Sequence, residues 1–226
     1  MSFQNPVRTQ AVLQKKRGEQ QLELVENTAG ADEPTQRAPS GDSLSEAAAV
    51  VRDMRNWLER AVIGLNLCPF AKAVHVKGQV HYAVSGASHP GEVLQDLRME
   101  LRALIELDAA ARDTTLLMVP GCLHDFLEFN DFMAQAERLV RKLRLEGVIQ
   151  LASFHPAFQF AGSEESDMAN FTNRSPYPTI HLLREASIDR AVAAIAQPEA
   201  IYEANIETLR RLGRQGWTAL GVGPSK

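Results

Sequence analysis

A long polar segment between two predicted strands holds most of the residues that could bind or transform a ligand. It runs from His155 to Pro178, and a stretch of this length without regular structure usually serves a site when it lies inside a compact domain. Its prolines restrict the backbone, as a preorganised site requires. The segment supplies an imidazole, two amides, a guanidinium and a phenol, from His155, Asn170, Asn173, Arg174 and Tyr177. It is therefore the first candidate for a functional site.

The chemistry of each side chain suggests a role. The planar guanidinium of Arg174 matches a carboxylate or phosphate with two parallel hydrogen bonds, so we expect it to bind an anionic group. Asn170, Asn173 and Tyr177 would bind and orient the substrate, and His155 would act as a general acid or base. The alternative is structural: Asn173 and Arg174 would satisfy backbone carbonyls, or Arg174 would pair with a nearby carboxylate.

Two further catalytic candidates lie outside this segment. Cys68 opens the string CPFA, and with Pro69 in the first turn of a short helix, N–H groups at the cap would favour a nucleophilic thiolate. The alternative is a buried cysteine that fills space. His181 lies on a predicted strand, and if this strand neighbours the one before His155, both imidazoles could approach one site. The alternative for His181 is a hydrogen-bonded structural histidine.

Composition and charge exclude several classes of protein. The 226 residues carry a formal net charge of −4, so no global basic field exists to bind a nucleic-acid backbone. No apolar run approaches the roughly 18–20 residues that a membrane span needs. No secretory signal is visible, so we expect a cytoplasmic protein in which Cys68 and Cys122 are free thiols. Dinucleotide and P-loop fingerprints are both absent, and the sequence indicates no metal site and identifies no cofactor.

Hydrophobic periodicity predicts the elements that must position these residues. The strings VHYAV, TTLLMV, VIQLASF and TIHLL predict four strands, at 80–84, 114–119, 148–154 and 179–183. Capping boxes predict helix starts at Ser43 and Asp125, and Pro90 suits the first turn of another helix. Two helices follow the last strand; Pro198 opens the second, and Gly213 and Gly216 end it.

This order of elements predicts the fold class. Two strand–helix–strand crossovers imply parallel pairing, with helices covering the sheet. We therefore expect a single α/β domain over residues 43–226, with a small, mostly parallel or mixed four-stranded sheet. A thioredoxin-like layout and a ferredoxin-like layout are the alternatives. Residues 1–42 have no hydrophobic periodicity beyond a short stretch, and we predict that they form a polar, disordered extension.

Several strings of the sequence resemble those of a known family. They are LNLCPFA at 65–71, QLASFHP at 150–156, FAG at 160–162 and NRSPYPTIHLLREAS at 173–187. Together they resemble an uncharacterised bacterial family, domain of unknown function fourteen-fifteen, over roughly residues 45–213. The resemblance implies no catalytic residue, substrate or cofactor. It does coincide with the places that the chemistry of the side chains selects.

The working hypothesis is a cytoplasmic α/β enzyme that acts on a small anionic metabolite. Its catalytic residues would be Cys68, His155 and His181, and its substrate would be a carboxylate or a phosphate. One alternative is a non-catalytic module that binds a metabolite or a partner protein through the same segment. The other is a structural or assembly protein. The sequence does not predict the reaction or the oligomeric state.

Overall fold

The computed structural model describes residues 41–193 and 200–225. The central element is a four-stranded mixed sheet, whose strands lie across it in the order β1-β2-β4-β3. β1 and β2 are parallel, and β4 is antiparallel to both of its neighbours. The strands are β1 (Val80–Val84), β2 (Thr114–Met118), β3 (Ile149–Phe154) and β4 (Thr179–Arg184). Each agrees with a predicted strand to within one residue, and the predicted α/β class with a mixed sheet is confirmed.

Helices flank this sheet, and two short segments have other helical geometry. The α-helices of the described part are α1 (Gly41–Trp57), α2 (Ala71–Val76), α3 (Pro90–Glu106), α4 (Phe126–Lys142), α5 (Glu185–Ala193) and α6 (Ala200–Ala219). A π-helix, Leu58–Ile63, continues α1, and a 3-10 helix, Met168–Thr172, lies between β3 and β4. None of the described helices is both long enough and apolar enough to cross a membrane.

The helix starts follow the local sequence in two cases of three. Pro90 is in the first turn of α3, and Asp125 caps α4 by accepting from the backbone N–H groups of Leu127 and Glu128. The capping box at Ser43 is wrong, because α1 already includes Gly41 and Ser43 therefore lies inside the helix.

The C-terminal helices differ partly from expectation. Gly213 has φ of 66°, which breaks the regular geometry, but the helix resumes and continues to Ala219. The predicted end at Gly213 and Gly216 is therefore wrong, because glycine adopts positive φ at little cost and lets a helix bend without ending. The predicted start at Pro198 lies outside the described residues. So does the predicted extension 1–42, apart from its last two residues, which belong to α1.

The two faces of the sheet carry separate apolar clusters. On the α1 face, Leu116 and Met118 of β2 pack with Met54 and Trp57 of α1 and with the π-helix. On the opposite α4 face, strand residues such as Leu117 pack against α3 and α4. Alternation along each strand sends successive side chains to opposite faces. The prediction that helices cover the sheet is confirmed.

The second crossover differs from the prediction. β2 and β3 run in the same direction, but β4 lies between them and is antiparallel to both, so they do not pair directly. The element order β-α-β-α-β-β also differs from the split β-α-β-β-α-β order of ferredoxin-like proteins. The peptide bonds before Pro176 and Pro178 are trans.

Candidate functional site

The segment between β3 and β4 is organised around the fully buried side chain of Asn170. Its Oδ1 accepts from the backbone N–H of Phe160 at 2.9 Å and from Oγ of Ser163 at 2.8 Å. Its Nδ2 donates to the carbonyls of Glu164 at 2.8 Å and Glu165 at 3.4 Å. All of these partners belong to the segment itself. The contacts of Asn170 therefore support a role in folding the segment, and its predicted role in substrate binding stays a prediction.

Asn173 connects the same segment to the end of β3. Its Nδ2 donates to the carbonyl of Ser153 at 3.2 Å, and its Oδ1 accepts from Oγ1 of Thr172 at 3.0 Å. Its backbone carbonyl accepts from the backbone N–H of His155 at 3.1 Å. With only 3% of its surface exposed, Asn173 acts as an internal bridge in this structure.

Both ring nitrogens of the fully buried His155 are occupied. Nδ1 accepts from the backbone N–H of Ala157 at 3.0 Å, so the proton is on Nε2, which lies 3.1 Å from the carbonyl of Leu123 and donates to it. The ring packs against Phe126 and Phe129. Burial lowers the pKa of His155 and favours the neutral ring. A proton transfer at this imidazole would break a hydrogen bond that holds the segment.

Arg174 directs its guanidinium at backbone carbonyls. Nε donates to Phe158 at 3.1 Å and Nη2 donates to Glu165 at 3.0 Å, while the guanidinium carbon lies 4.4 Å from the ring centroid of Phe171. The carbonyl of Arg174 accepts from Nε1 of Trp57 at 2.9 Å, which attaches the segment to α1. These contacts correspond to the structural alternative, in which Arg174 satisfies carbonyls instead of an anionic ligand.

Cys68 lies in the turn between the π-helix and α2, partly buried against the α1-face cluster. Burial raises the pKa of its thiol, although the backbone N–H groups of Phe70 and Ala71 act in the opposite sense. The expectation of a stabilised thiolate is therefore wrong, because loss of hydration outweighs the two N–H groups. Cys68 and Cys122 are both free, as predicted.

His181 lies in the middle of β4, opposite Leu116 of β2. Its Nε2 lies 2.7 Å from Oγ1 of Thr114. Since that hydroxyl donates to the carbonyl of Leu182 at 2.7 Å, the imidazole is the donor to Thr114. Burial lowers the pKa of His181 to about 4, so the ring is neutral at physiological pH.

The two histidines lie on different faces of the sheet. His181 contacts Phe154, which packs against the α1-face cluster, whereas His155 contacts Phe129 of the α4-face cluster. The expectation that their imidazoles approach one site is wrong, although β3 and β4 are neighbours as expected. Alternation along the strands separates the two side chains.

Tyr177 forms a polar contact that the sequence did not indicate. Its hydroxyl donates to Oδ2 of Asp53 at 2.9 Å, and Asp53, 3% exposed, also accepts from the backbone N–H and the hydroxyl of Ser225. Burial raises the pKa of Asp53, but these hydrogen bonds outweigh it and the net pKa is below its usual value. Burial and the adjacent carboxylate raise the pKa of Tyr177 to about 12.

A second polar group, the Tyr82 cluster, consists of Arg55, Glu59, His75 and Tyr82. The guanidinium carbon of Arg55 lies 4.5 Å from the ring centroid of Tyr82, and Nε2 of His75 lies 3.3 Å from Oε1 of Glu59. The hydroxyl of Tyr82 is buried, and no group in the described part of the chain hydrogen-bonds to it. Burial raises the pKa of Tyr82 to about 12, with Arg55 lowering it and Glu59 raising it.

Four elements outside the β3–β4 segment position this cluster. Arg55 is on α1, Glu59 on the π-helix, His75 on α2 and Tyr82 on β1. The side chain of Glu59 is 50% exposed and that of His75 is 22% exposed, so the cluster opens to solvent. Sequence reasoning missed it because no local spacing unites residues from four elements; the alternation that places Tyr82 on a sheet face was the available signal.

Other features of the described residues contribute no site. No three His, Cys, Asp or Glu side chains of residues 41–193 and 200–225 form a group that could hold a metal ion. A shallow, open depression follows the surface of α6 and is lined by Glu203, Ile206, Glu207, Arg210 and Arg211. It includes none of the residues discussed above.

Comparison with known proteins identifies a family. The family model described as protein of unknown function (DUF1415) matches residues 49–219. This range contains the Tyr82 cluster, Cys68 and the whole β3–β4 segment. No curated protein and no solved structure matches the chain.

Proposed function

The chain belongs to the DUF1415 family of proteins of unknown function, and we propose that it is an enzyme that acts on a small anionic substrate, a carboxylate or phosphate, at the Tyr82 cluster. The proposal keeps the substrate class expected from the sequence and changes the residues that would bind it. The polar side chains of the β3–β4 segment then serve as the scaffold that holds the sheet edge.

The buried hydroxyl of Tyr82 is the observation that carries this proposal. Buried polar atoms almost always have a hydrogen-bond partner, yet this hydroxyl has none among the described residues. Since the pKa of Tyr82 is about 12, the hydroxyl keeps its proton at neutral pH and is available to donate to a ligand oxygen. The charges of Arg55 and Glu59 act on its pKa in opposite directions.

Arg55 is the proposed anchor for the anionic group. Its guanidinium stacks on the ring of Tyr82. The side chain is on the exposed side of α1, and it forms no hydrogen bond or ion pair with another described residue. Stacking restricts the guanidinium while leaving its N–H edge available, which suits bidentate binding of a carboxylate or phosphate. Arg174, the anchor expected from the sequence, already binds two carbonyls.

The contact between His75 and Glu59 favours an enzyme over a binding module without chemistry. A carboxylate beside one ring nitrogen orients the imidazole, as in many sites where a histidine acts as a general acid or base. In this assignment Arg55 binds the substrate, Tyr82 donates to it and His75 moves a proton. Cys68 has no part in the step, because burial keeps its thiol protonated.

Binding of simple anions tests the anchor. Isothermal titration of the full chain with inorganic phosphate and with malonate should show saturable binding of at least one of them. Arg55→Ala and Tyr82→Phe should each weaken it by roughly ten- to a hundredfold, since a charge-assisted hydrogen bond contributes roughly 1.5–3 kcal/mol. Arg138→Ala, an exposed arginine of α4, is the matched control and should bind as the wild type does. Unchanged affinity in Arg55→Ala would contradict the assignment.

Turnover tests the catalytic part separately. The wild type and His75→Gln are compared on a panel of small phosphate monoesters and carboxylate esters. We expect His75→Gln to retain anion affinity while losing turnover. Anion binding by the wild type with no turnover of any substrate in the panel would instead favour the binding module.

A further inference from the structure

We propose that residues 220–225 form a detachable strap whose Ser225 occupies a docking site made by Asp53 and Tyr177, and that the open site accepts an extended peptide segment carrying a serine. This inference uses none of the residues of the Tyr82 cluster. It therefore does not depend on the proposed function.

The strap follows α6 and crosses α1. Leu220 and Val222 pack against the α1-face cluster. Nη1 of Arg60 donates to the carbonyl of Leu220 at 3.1 Å, and Nη2 of Arg52 donates to Oγ of Ser225 at 3.2 Å. The strap is thus attached by Arg52 of α1, by Arg60 of the π-helix and by two apolar side chains of its own.

The end of the strap makes its most specific contact with Asp53. The backbone N–H of Ser225 donates to Oδ2 at 2.7 Å, and the hydroxyl of the same residue donates to Oδ1 at 2.5 Å. Tyr177 supplies the third donor, to Oδ2 at 2.9 Å. A single serine therefore engages both oxygens of the carboxylate, one through its main chain and one through its side chain.

The two sides of this contact differ in how firmly they are held. Asp53 and Tyr177 belong to α1 and to the residues that lead into β4, and Asp53 is only 3% exposed. Four of the six strap residues are exposed, two of them glycines, and the strap makes few apolar contacts. Segments with little buried apolar surface open at a small fraction of the free energy of global unfolding. The strap can therefore detach while the domain remains folded.

Opening the strap would remove two of the three donors of the Asp53 carboxylate and leave Tyr177 as the third. A segment that covers this carboxylate again has to supply donors, because burying a charge without them is costly. The contacts of Ser225 define the ligand chemistry. The ligand has to present a backbone N–H and a hydroxyl from the same residue of an extended chain. The charge of Asp53 excludes anionic ligands. An extended serine-containing peptide satisfies both requirements.

Peptide binding in trans tests the proposal on the full chain. Ser225→Pro removes both the N–H and the hydroxyl, so the variant's own strap cannot hold Asp53. A fluorescein-labelled peptide, Leu-Gly-Val-Gly-Pro-Ser with an amidated end, should bind this variant saturably, as measured by fluorescence anisotropy. The wild type should bind this peptide at least about tenfold more weakly than the variant does. Its own strap is tethered next to the site and competes with the peptide at a high effective concentration. The Asp53→Asn, Ser225→Pro double variant and a peptide ending in alanine should each lose binding.

Three results would overturn the proposal: no saturable binding to Ser225→Pro, equal binding of the serine and alanine peptides, or equal affinity for wild type and variant. A measurement on the wild type needs no substitution. The amides of Val222 and Ser225 should exchange hydrogen faster than that of Leu116 in β2. Equal protection would show that the strap does not open separately from the domain, and would also overturn the proposal.

Discussion

Tyr82 and Tyr177 both pack against the α1-face cluster, but their hydroxyls differ: Tyr177 donates to Asp53, whereas that of Tyr82 is buried with no partner in the described part of the chain. The same substitution at the two positions therefore has different consequences. Removing an unpartnered hydroxyl costs little, while removing a donor from a buried carboxylate leaves that charge less well solvated.

Tyr82→Phe should leave the free energy of unfolding unchanged or raise it by up to about 1 kcal/mol. Tyr177→Phe should lower it by about 1–3 kcal/mol, because Asp53 loses a donor. Urea denaturation of the two variants beside the wild type measures both effects, and each variant is the control for the other. A loss of stability in Tyr82→Phe equal to that in Tyr177→Phe would show that its hydroxyl has a partner.

His181 should make the protein less stable in acid. Its pKa is about 4 in the folded protein and 6.5 as the ordinary value, so the unfolded chain binds the proton more tightly. The contribution of neutral His181 to the free energy of unfolding is fully present above pH 6.5. It is lost as the pH falls toward 4, and the loss amounts to at most about 3 kcal/mol. Chemical denaturation across this range should show a shallower decline for His181→Gln than for the wild type. His89 is exposed, so the stability of His89→Gln should decline with pH as that of the wild type does. Identical curves for all three proteins would contradict the lowered pKa of His181.

Arg174→Ala should destabilise the fold by about 2 kcal/mol, because two carbonyls of the β3–β4 segment lose their donor. Arg214→Ala is a suitable control, since this exposed arginine also approaches Phe171, at 5.7 Å, without donating to a carbonyl of that segment. The control should change stability by less than about 0.5 kcal/mol. Thermal and urea denaturation measure both. If Arg174→Ala lost anion affinity while its stability stayed unchanged, Arg174 would be an anion-binding residue, as the sequence analysis expected.

The Cys68 thiol should react slowly with iodoacetamide at neutral pH. Burial raises its pKa above the ordinary value of 9.0, so the reactive thiolate is scarce there, and the rate should still be rising at pH 9. The Cys122→Ser variant leaves Cys68 as the single thiol, and mass spectrometry then follows its alkylation directly. A rate that reaches its plateau below pH 8 would show instead that the two backbone N–H donors dominate.

Elements whose signals are short-range could be predicted from the sequence. Each strand was predicted to within one residue, because the apolar run that predicts it and the turn residues that end it are adjacent in the sequence. The start of α4 at Asp125 was predicted for the same reason, since the cap bonds to N–H groups two and three residues away. The family was recognisable from strings such as LNLCPFA.

Which polar side chains contact one another, and which form hydrogen bonds that stabilise the fold, depends on long-range packing. The hydrogen bond from Tyr177 to Asp53 spans 124 positions, and that from Ser225 to Asp53 spans 172, so no local pattern connects these residues. In the β3–β4 segment, the side chains of Asn170 and Arg174 bond within the segment, whereas those of His155, Asn173 and Tyr177 also bond to neighbouring elements. Burial at Cys68 outweighs its N–H donors. Hydrogen-bond partners and loss of hydration arise only when distant parts of the chain pack together, and for that reason the sequence located polar groups without deciding their roles.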